Sequence, residues 1–411
     1  MKSFLKLFSI LFVGLLCLFP VISNADSSLP SQVAKSDIRF MESDSEIVGG
    51  AFPGLLLTPR ALSNYRDEKY SQPYRFACHV YIASPDNGKL GETNYERRFV
   101  VCCSEREGMP FVKKVARLLL LLCSERRARF GTDHPANLRT VNVWVSGSQP
   151  QGVSNDVGGE QFQNQIYLHN VSTQRNPIEW MREICHEYGH YALPGISGFT
   201  SPEEWGNGLL GEKLFIKWLQ EELQCGVLKE EEIPFASPNS LSTFLANQVS
   251  PLVQRVVREG IDPVAFAARR DSSGMDRYVG LALYIDTFYG SRMLLSSMSE
   301  TRNPIPGKFP HSSDFLQGFF TALKNDEEYT LNLFSTSGGS LESSTMLYFP
   351  AGEWSITPSG SLTQWRCLPD IASVRMHGTK GVSVRRAGWY RLMTKSRGNS
   401  AQPGRLKLRK T

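Results

Sequence analysis

NPIEWMREICHEYGHYALPG, residues 176–195, reads as one complete helix with its own start, its own stop and a chemical face. Asn176 suits the N-cap and Pro177 the first helical position, where a missing N–H costs nothing. Glu179 stands third, where it can close a capping box. Leu193-Pro194-Gly195 then ends the helix, because Pro drives the residue before it out of helical geometry. One side, through Trp180, Met181, Ile184, Cys185, Tyr188 and Ala192, is apolar enough to be buried. The other carries His186, Glu187 and His190.

Positions four apart share a helical face, so the imidazoles of His186 and His190 can approach one metal ion. Zinc accepts such nitrogen ligands and keeps an open position in catalytic sites. Glu187 lies about 100° further round the helix, where a carboxylate can take a proton from metal-activated water. The spacing therefore points to metal-assisted hydrolysis. A metzincin continuation is excluded, because Leu193 and Ile196 stand where it needs Gly and a third His.

A third ligand is expected on the next helix. Gly208 and Gly211 inside it cost about 1 kcal/mol each relative to Ala, and close approach to the histidine helix accounts for them. That approach would bring Glu212, on the same face, to the metal. Glu203 and Glu204 are nearer in sequence, but local roles absorb them. Ser201 reads as the N-cap of this second helix with Glu204 closing its capping box, and Glu203 suits the positive end of the helix dipole.

Outward from this region, residues 76–82 and 99–103 read as strands joined by a turn-rich stretch. Residues 110–129 form a helix whose Leu118 to Leu122 run is buried on most of its circumference. Residues 140–146 and 165–171 alternate as strands, with a Gly, Ser and Asn-rich loop between them. From 202 to 326 the signals are mainly helical, including one helix over 277–297. Its Tyr278, Tyr284 and Tyr289, with Arg277 and Arg292, could donate to an oxyanion, although core packing is the commoner fate of helical aromatics. Short strands between Gly and Ser-rich turns follow, suggesting a small β-sandwich. The fold class expected is α+β: a catalytic domain over 71–326 and a β-rich accessory domain over 327–411.

The N-terminus has a basic start (Lys2, Lys6), an apolar stretch and Ser23-Asn24-Ala25, the order of a cleavable export signal ending at Ala25. Residues 26–70 read as an extended lead-in across the catalytic domain. The formal charge of +5 falls to about +3 without Lys2 and Lys6, too small to argue for nucleic acid. Seven of the 8 cysteines remain after the signal, none in CxxC spacing, so a cysteine zinc site has no support. Cys102 and Cys103 are adjacent and should face opposite sides of a strand. The other mature histidines, His79, His134, His169, His311 and His377, are scattered.

The arrangement resembles the gluzincin metallopeptidases over about residues 140–220, in HEYGH on one helix and a glutamate 22 positions after His190 on another. The resemblance implies a zincin-like domain, a small sheet plus active-site helix followed by a helical subdomain. It also implies one Zn2+ held by His186, His190 and Glu212, with Glu187 activating water and a protein or peptide as substrate. One departure is Ile216, which stands where thermolysin-like members carry an acidic residue. The same motif also suits a hydrolase of another amide, such as one in a cell-wall polymer. A surface protein keeping the zinc helix as a structural relic is a further reading, against which the intact Glu187 argues.

Overall fold

A computed structural model describes residues 32–33, 45–48, 54–57, 65–83, 95–132, 140–154, 158–173, 175–333, 341–359, 362–368, 374–377, 381–396 and 404–411. The export signal expected at residues 1–25, and His134, lie outside them. The chain is a mixture of helices and several sheets.

The N-terminal sheet has eight strands: β1 (Gln32–Val33), β2 (Ser45–Val48), β3 (Gly54–Leu57), β6 (Phe76–Ala83), β7 (Tyr95–Cys103), β8 (Val141–Val145), β9 (Gly159–Phe162) and β10 (Gln165–Leu168). Its main order is β2-β3-β6-β7-β8-β10-β9, with β1 added on β7. The β7, β8 and β10 strands run parallel, whereas β9 is antiparallel to β10 at the edge. Alternation along the strands separates the two faces. Cys78, Val80, Ile82, Val101, Cys103, Val143, Val145, Ile166 and Leu168 join the main core. Ala77, Val100, Cys102, Trp144 and Tyr167 form a smaller cluster on the reverse face, with Tyr74. Cys102 and Cys103 accordingly face opposite ways. The short pair β4 (Tyr65–Arg66) and β5 (Pro73–Tyr74) leads into this reverse cluster.

Helix α1 (Met109–Phe130) links β7 to β8, and Leu118 through Leu122 are all buried, since the helix lies between the sheet and the helices that follow. The histidine helix is α2 (Pro177–Ala192). Asn176 caps it by accepting from Ile178 N at 3.3 Å. The reciprocal arm of the expected capping box does not form, because the Glu179 carboxylate accepts from Arg182 at 2.8 Å instead. At the far end, the buried Arg126 of α1 donates to Ala192 O at 2.8 Å and to Thr132 O at 2.6 Å, placing a cation at the negative end of the α2 dipole.

The next helix, α3 (Asn207–Gln224), starts six residues after the expected Ser201 cap. Gly206 N donates to Ile196 O at 2.9 Å and Phe199 N to Glu204 O at 3.4 Å, so residues 201–206 are tied back to the preceding loop rather than coiled. Helices α4 (Pro238–Phe244), α5 (Ser250–Glu259), α6 (Pro263–Ala268), α7 (Ser272–Tyr289), α8 (Ser291–Glu300) and α9 (Ser312–Asn325) complete the layer. The single helix expected over 277–297 is two, broken at Gly290, whose φ is 86°.

Two antiparallel sheets close the chain. One has the order β11 (Glu328–Leu333), β18 (Gly404–Lys410), β13 (Gly352–Ser359), β16 (Gly381–Val384), β15 (Val374–His377). The other has β12 (Leu341–Phe349), β17 (Gly388–Ser396), β14 (Leu362–Leu368). Their apolar side chains belong to the same contiguous core as the helices. Tyr284 of α7 donates to Met346 O at 2.6 Å, and Phe320 of α9 stacks on Tyr348 at 3.9 Å. The β-rich region is packed onto the helical layer. Among the described residues no helix is long and apolar enough to cross a membrane.

Candidate metal centre

Two glycines decide how near α2 and α3 come. A Cβ on Gly211 would lie 2.4 Å from Gly189 Cα and 2.9 Å from Cys185 O, and one on Gly189 would lie 2.8 Å from Gly211 Cα. Only residues without side chains permit backbones this close. The close approach expected from the α3 glycines is therefore present, and it sets the start of α3 against His186 and His190.

The two histidines converge, with Nε2 atoms 3.2 Å apart. The third group is Glu203, whose Oε2 lies 3.2 Å from His186 Nε2 and 3.1 Å from His190 Nε2. Among the described residues, these three form a group whose ligand atoms all lie within 4.8 Å of one another. Glu212, the ligand expected from the sequence, is not in that group. Its Oε2 lies 3.9 Å from His186 Nδ1, on the opposite side of the imidazole, and its Oε1 accepts from Arg182 Nε at 2.8 Å. The reason is the late start of α3. Residues 201–206 are not helical, so Glu203 has no helix dipole to meet and turns onto the histidines, while Glu212 sits more than a turn into α3, behind the ring.

The His190 ring has an orienting partner. His190 Nδ1 lies 3.1 Å from Asn207 Oδ1, and Asn207 Nδ2 donates to His190 O at 3.1 Å and Leu193 O at 3.3 Å. With Asn207 thus donating through its nitrogen, its oxygen accepts from Nδ1–H, which leaves the Nε2 lone pair directed at the common point. Glu212 stands in the corresponding place behind His186. Sequence reasoning missed Glu203 and Asn207. Asn207 lies four residues after Glu203, the same spacing as Ile216 after Glu212.

The donor set fits a small divalent cation. Ligands 2.0–2.1 Å from a tetrahedral zinc are roughly 3.3 Å from each other, close to the 3.1 and 3.2 Å separations of the three donors. Glu203 Oε1 is buried with no hydrogen-bond partner, an uncommon condition that a ligand at the site would relieve. Gly208 completes the cradle. A Cβ there would lie 2.4 Å from His190 Nε2 and 2.6 Å from His186 Nε2, filling the space in front of both nitrogens.

The charges agree. Burial by itself would lower the pKa of His186, but the carboxylates of Glu203 and Glu212 outweigh it and push the imidazole up to about 10. Burial would raise Glu203, yet hydrogen bonds from His186 and His190 hold it down at about 2. Positive charge is thus favoured between the rings and the carboxylate.

Glu187 is buried at 4 % exposure, and burial pushes its carboxyl up to about 8 against the opposing charge of His186. Above it runs the edge strand β9, where a Cβ on Gly159 would come 2.9 Å from Glu187 Cγ. This strand falls in the stretch expected to be loop. Its Glu160 points to the reverse face and accepts from Lys69, Tyr70 and His169, which fixes the strand over the carboxylate.

The tyrosines considered as oxyanion donors are core residues. Tyr278, Tyr284 and Tyr289 are buried, and Tyr278 packs edge-on to Phe315. His311 packs against Gly198, and His79 is buried within β6. Neither a protein-family model nor a curated protein matches this chain.

Proposed function

We propose that this chain is an exported zinc-dependent hydrolase that cleaves peptide bonds. One observation carries the reading: two histidine nitrogens and a carboxylate oxygen converge on one point, and Glu187, next to His186 on the same helix, is buried. His186, His190 and Glu203 would hold the ion, leaving a position for water as three-ligand catalytic sites do. Zinc there would supply Lewis acidity, lowering the pKa of that water and polarising the substrate carbonyl.

A cation held beside Glu187 would favour its ionised form, and the carboxylate takes the proton from the attacking water and returns it to the leaving amine. Asn207 holds His190 in the tautomer that faces the ion, and the charge of Glu212 lies behind His186. A purely structural site needs no base, and a buried carboxylate without that task would be a cost. Of the gluzincin resemblance this reading retains HEYGH on one helix, and it moves the third ligand from Glu212 on α3 to Glu203 in the loop before it. Export rests on the tripartite first 25 residues.

The test is metal analysis of the mature protein with cleavage of an unbiased peptide library, compared with Glu187→Gln. The expected result is one zinc in both proteins and a loss of about 10²–10⁴-fold in turnover for the variant. A protein that binds no divalent ion, or a variant that cleaves as fast as wild type, ends the proposal.

A further inference from the structure

Glu183 lies one turn before Glu187 on the same face of α2, and the zinc reading gives it no task. Its carboxylate sits directly under the Gly158-Gly159 backbone. A Cβ on Gly158 would be 2.7 Å from Glu183 Oε2, and one on Gly159 would be 3.0 Å from Oε1. The two glycines let the strand edge rest directly on Glu183 and Glu187, with Arg175 Nη1 2.3 Å from where a Cβ on Gly158 would lie.

An ionised carboxylate can accept about four hydrogen bonds, yet Glu183 accepts none among the described residues. Its nearest cation, Arg175, is held away. The guanidinium stacks on Trp180, 4.8 Å from the ring centroid, and its Nη1 stops 3.8 Å from Oε2, beyond hydrogen-bond range. With 26 % of its side chain exposed, the group can be reached from outside. A half-paired carboxylate is costly in a purely structural position.

We infer that Glu183 is a specificity-determining residue that accepts a cationic group of the substrate next to the scissile bond. The inference rests on the peptidase reading. The chemistry recognised is an N–H cation, either a Lys or Arg side chain or a free α-ammonium, which can donate the hydrogen bonds that Arg175 does not.

The test uses the mature zinc-loaded protein and paired peptides differing in charge alone. Blocked peptides carry Arg or citrulline, and Lys or norleucine, on either side of the cleaved bond. A further pair has a free or an acetylated N-terminus one residue before it. Wild type should favour a charged member by about 10-fold or more in kcat/KM, and the pair that responds identifies the source of the cation. Glu183→Gln should bring that ratio near one with zinc content unchanged, and Glu183→Lys should shift preference to Glu-bearing peptides. Calorimetry in a Glu187→Gln background should show the same loss in peptide affinity when Glu183→Gln is added.

A wild-type ratio near one in every pair overturns the inference, and that measurement needs no variant to fold. A ratio that survives Glu183→Gln also overturns it. Cleavage without charge preference removes Glu183's role and leaves the peptidase reading intact. Zinc-loaded wild type that cleaves no peptide removes both.

Discussion

Gly208 stands where a Cβ would lie 2.4 Å from His190 Nε2, and His190 cannot swing away while Asn207 grips its ring and its carbonyl. Gly208→Ala therefore acts on the metal site and on the fold together. In an ordinary helix the substitution gains about 1 kcal/mol, but here the Cβ overlaps a held imidazole, so the metal-free variant should melt below wild type. Its zinc affinity, measured against a competing chelator, should fall by about 10–100-fold, the scale of a disturbed ligand shell. Equal affinity in the two proteins would mean that the ion does not sit in front of these nitrogens.

Glu203 and Glu212 should differ in kind when each is changed to Ala. Loss of Glu203 removes a donor, and stoichiometric zinc binding should disappear. Loss of Glu212 removes the carboxylate behind His186 Nδ1 and the partner of Arg182. The site then keeps three donors and should weaken by about 10–100-fold. Zinc content after dialysis against graded chelator distinguishes the cases, and the reverse ranking would restore Glu212 as the ligand.

The assignment of these two glutamates shows where sequence logic runs out. The histidine helix was legible because its cap, its stop and its i, i+4 histidines are local, and the α3 glycines correctly announced a close helix pair. The same local logic led to the wrong start for α3. Ser201 and Glu204 make a satisfactory capping box on paper. The helix begins later because Gly206 N reaches Ile196 O and because Gly206 packs on the Tyr278 ring, contacts from distant segments. The β9 strand was hidden for a similar reason. Gly159-Glu160-Gln161-Phe162 has no β-branched residue, and it is a strand because β10 offers an open edge.

The α2 and α3 helices should resist any side chain at their crossing. Gly211→Ala puts a Cβ 2.4 Å from Gly189 Cα and 2.9 Å from Cys185 O, both backbone atoms that cannot rotate aside. Overpacking of this kind costs about 1–3 kcal/mol, more than the helix-propensity gain. Urea unfolding should show net destabilisation for Gly211→Ala and for Gly189→Ala. The double variant should cost less than the two single effects combined, because the first substitution already parts the helices. Strict additivity would argue against a shared contact.

A final prediction concerns pH and lies away from the metal. Glu125 on α1 is buried beside Glu222 of α3, with Arg129 3.4 Å away. Burial, then the Glu222 charge, push its carboxyl up from 4.5 to about 7, against the pull of Arg129. Between those values the folded chain holds a proton that the unfolded chain has released, so stability falls as pH rises through the window and levels off above it. Glu125→Gln mimics the protonated form. Relative to wild type it should be more stable at pH 8 by up to about 3 kcal/mol, with the difference shrinking to nothing near pH 4.5. Chemical denaturation at four or five pH values tests this, and a variant less stable than wild type at pH 8 would mean that Glu125 is ionised and stabilised by Arg129.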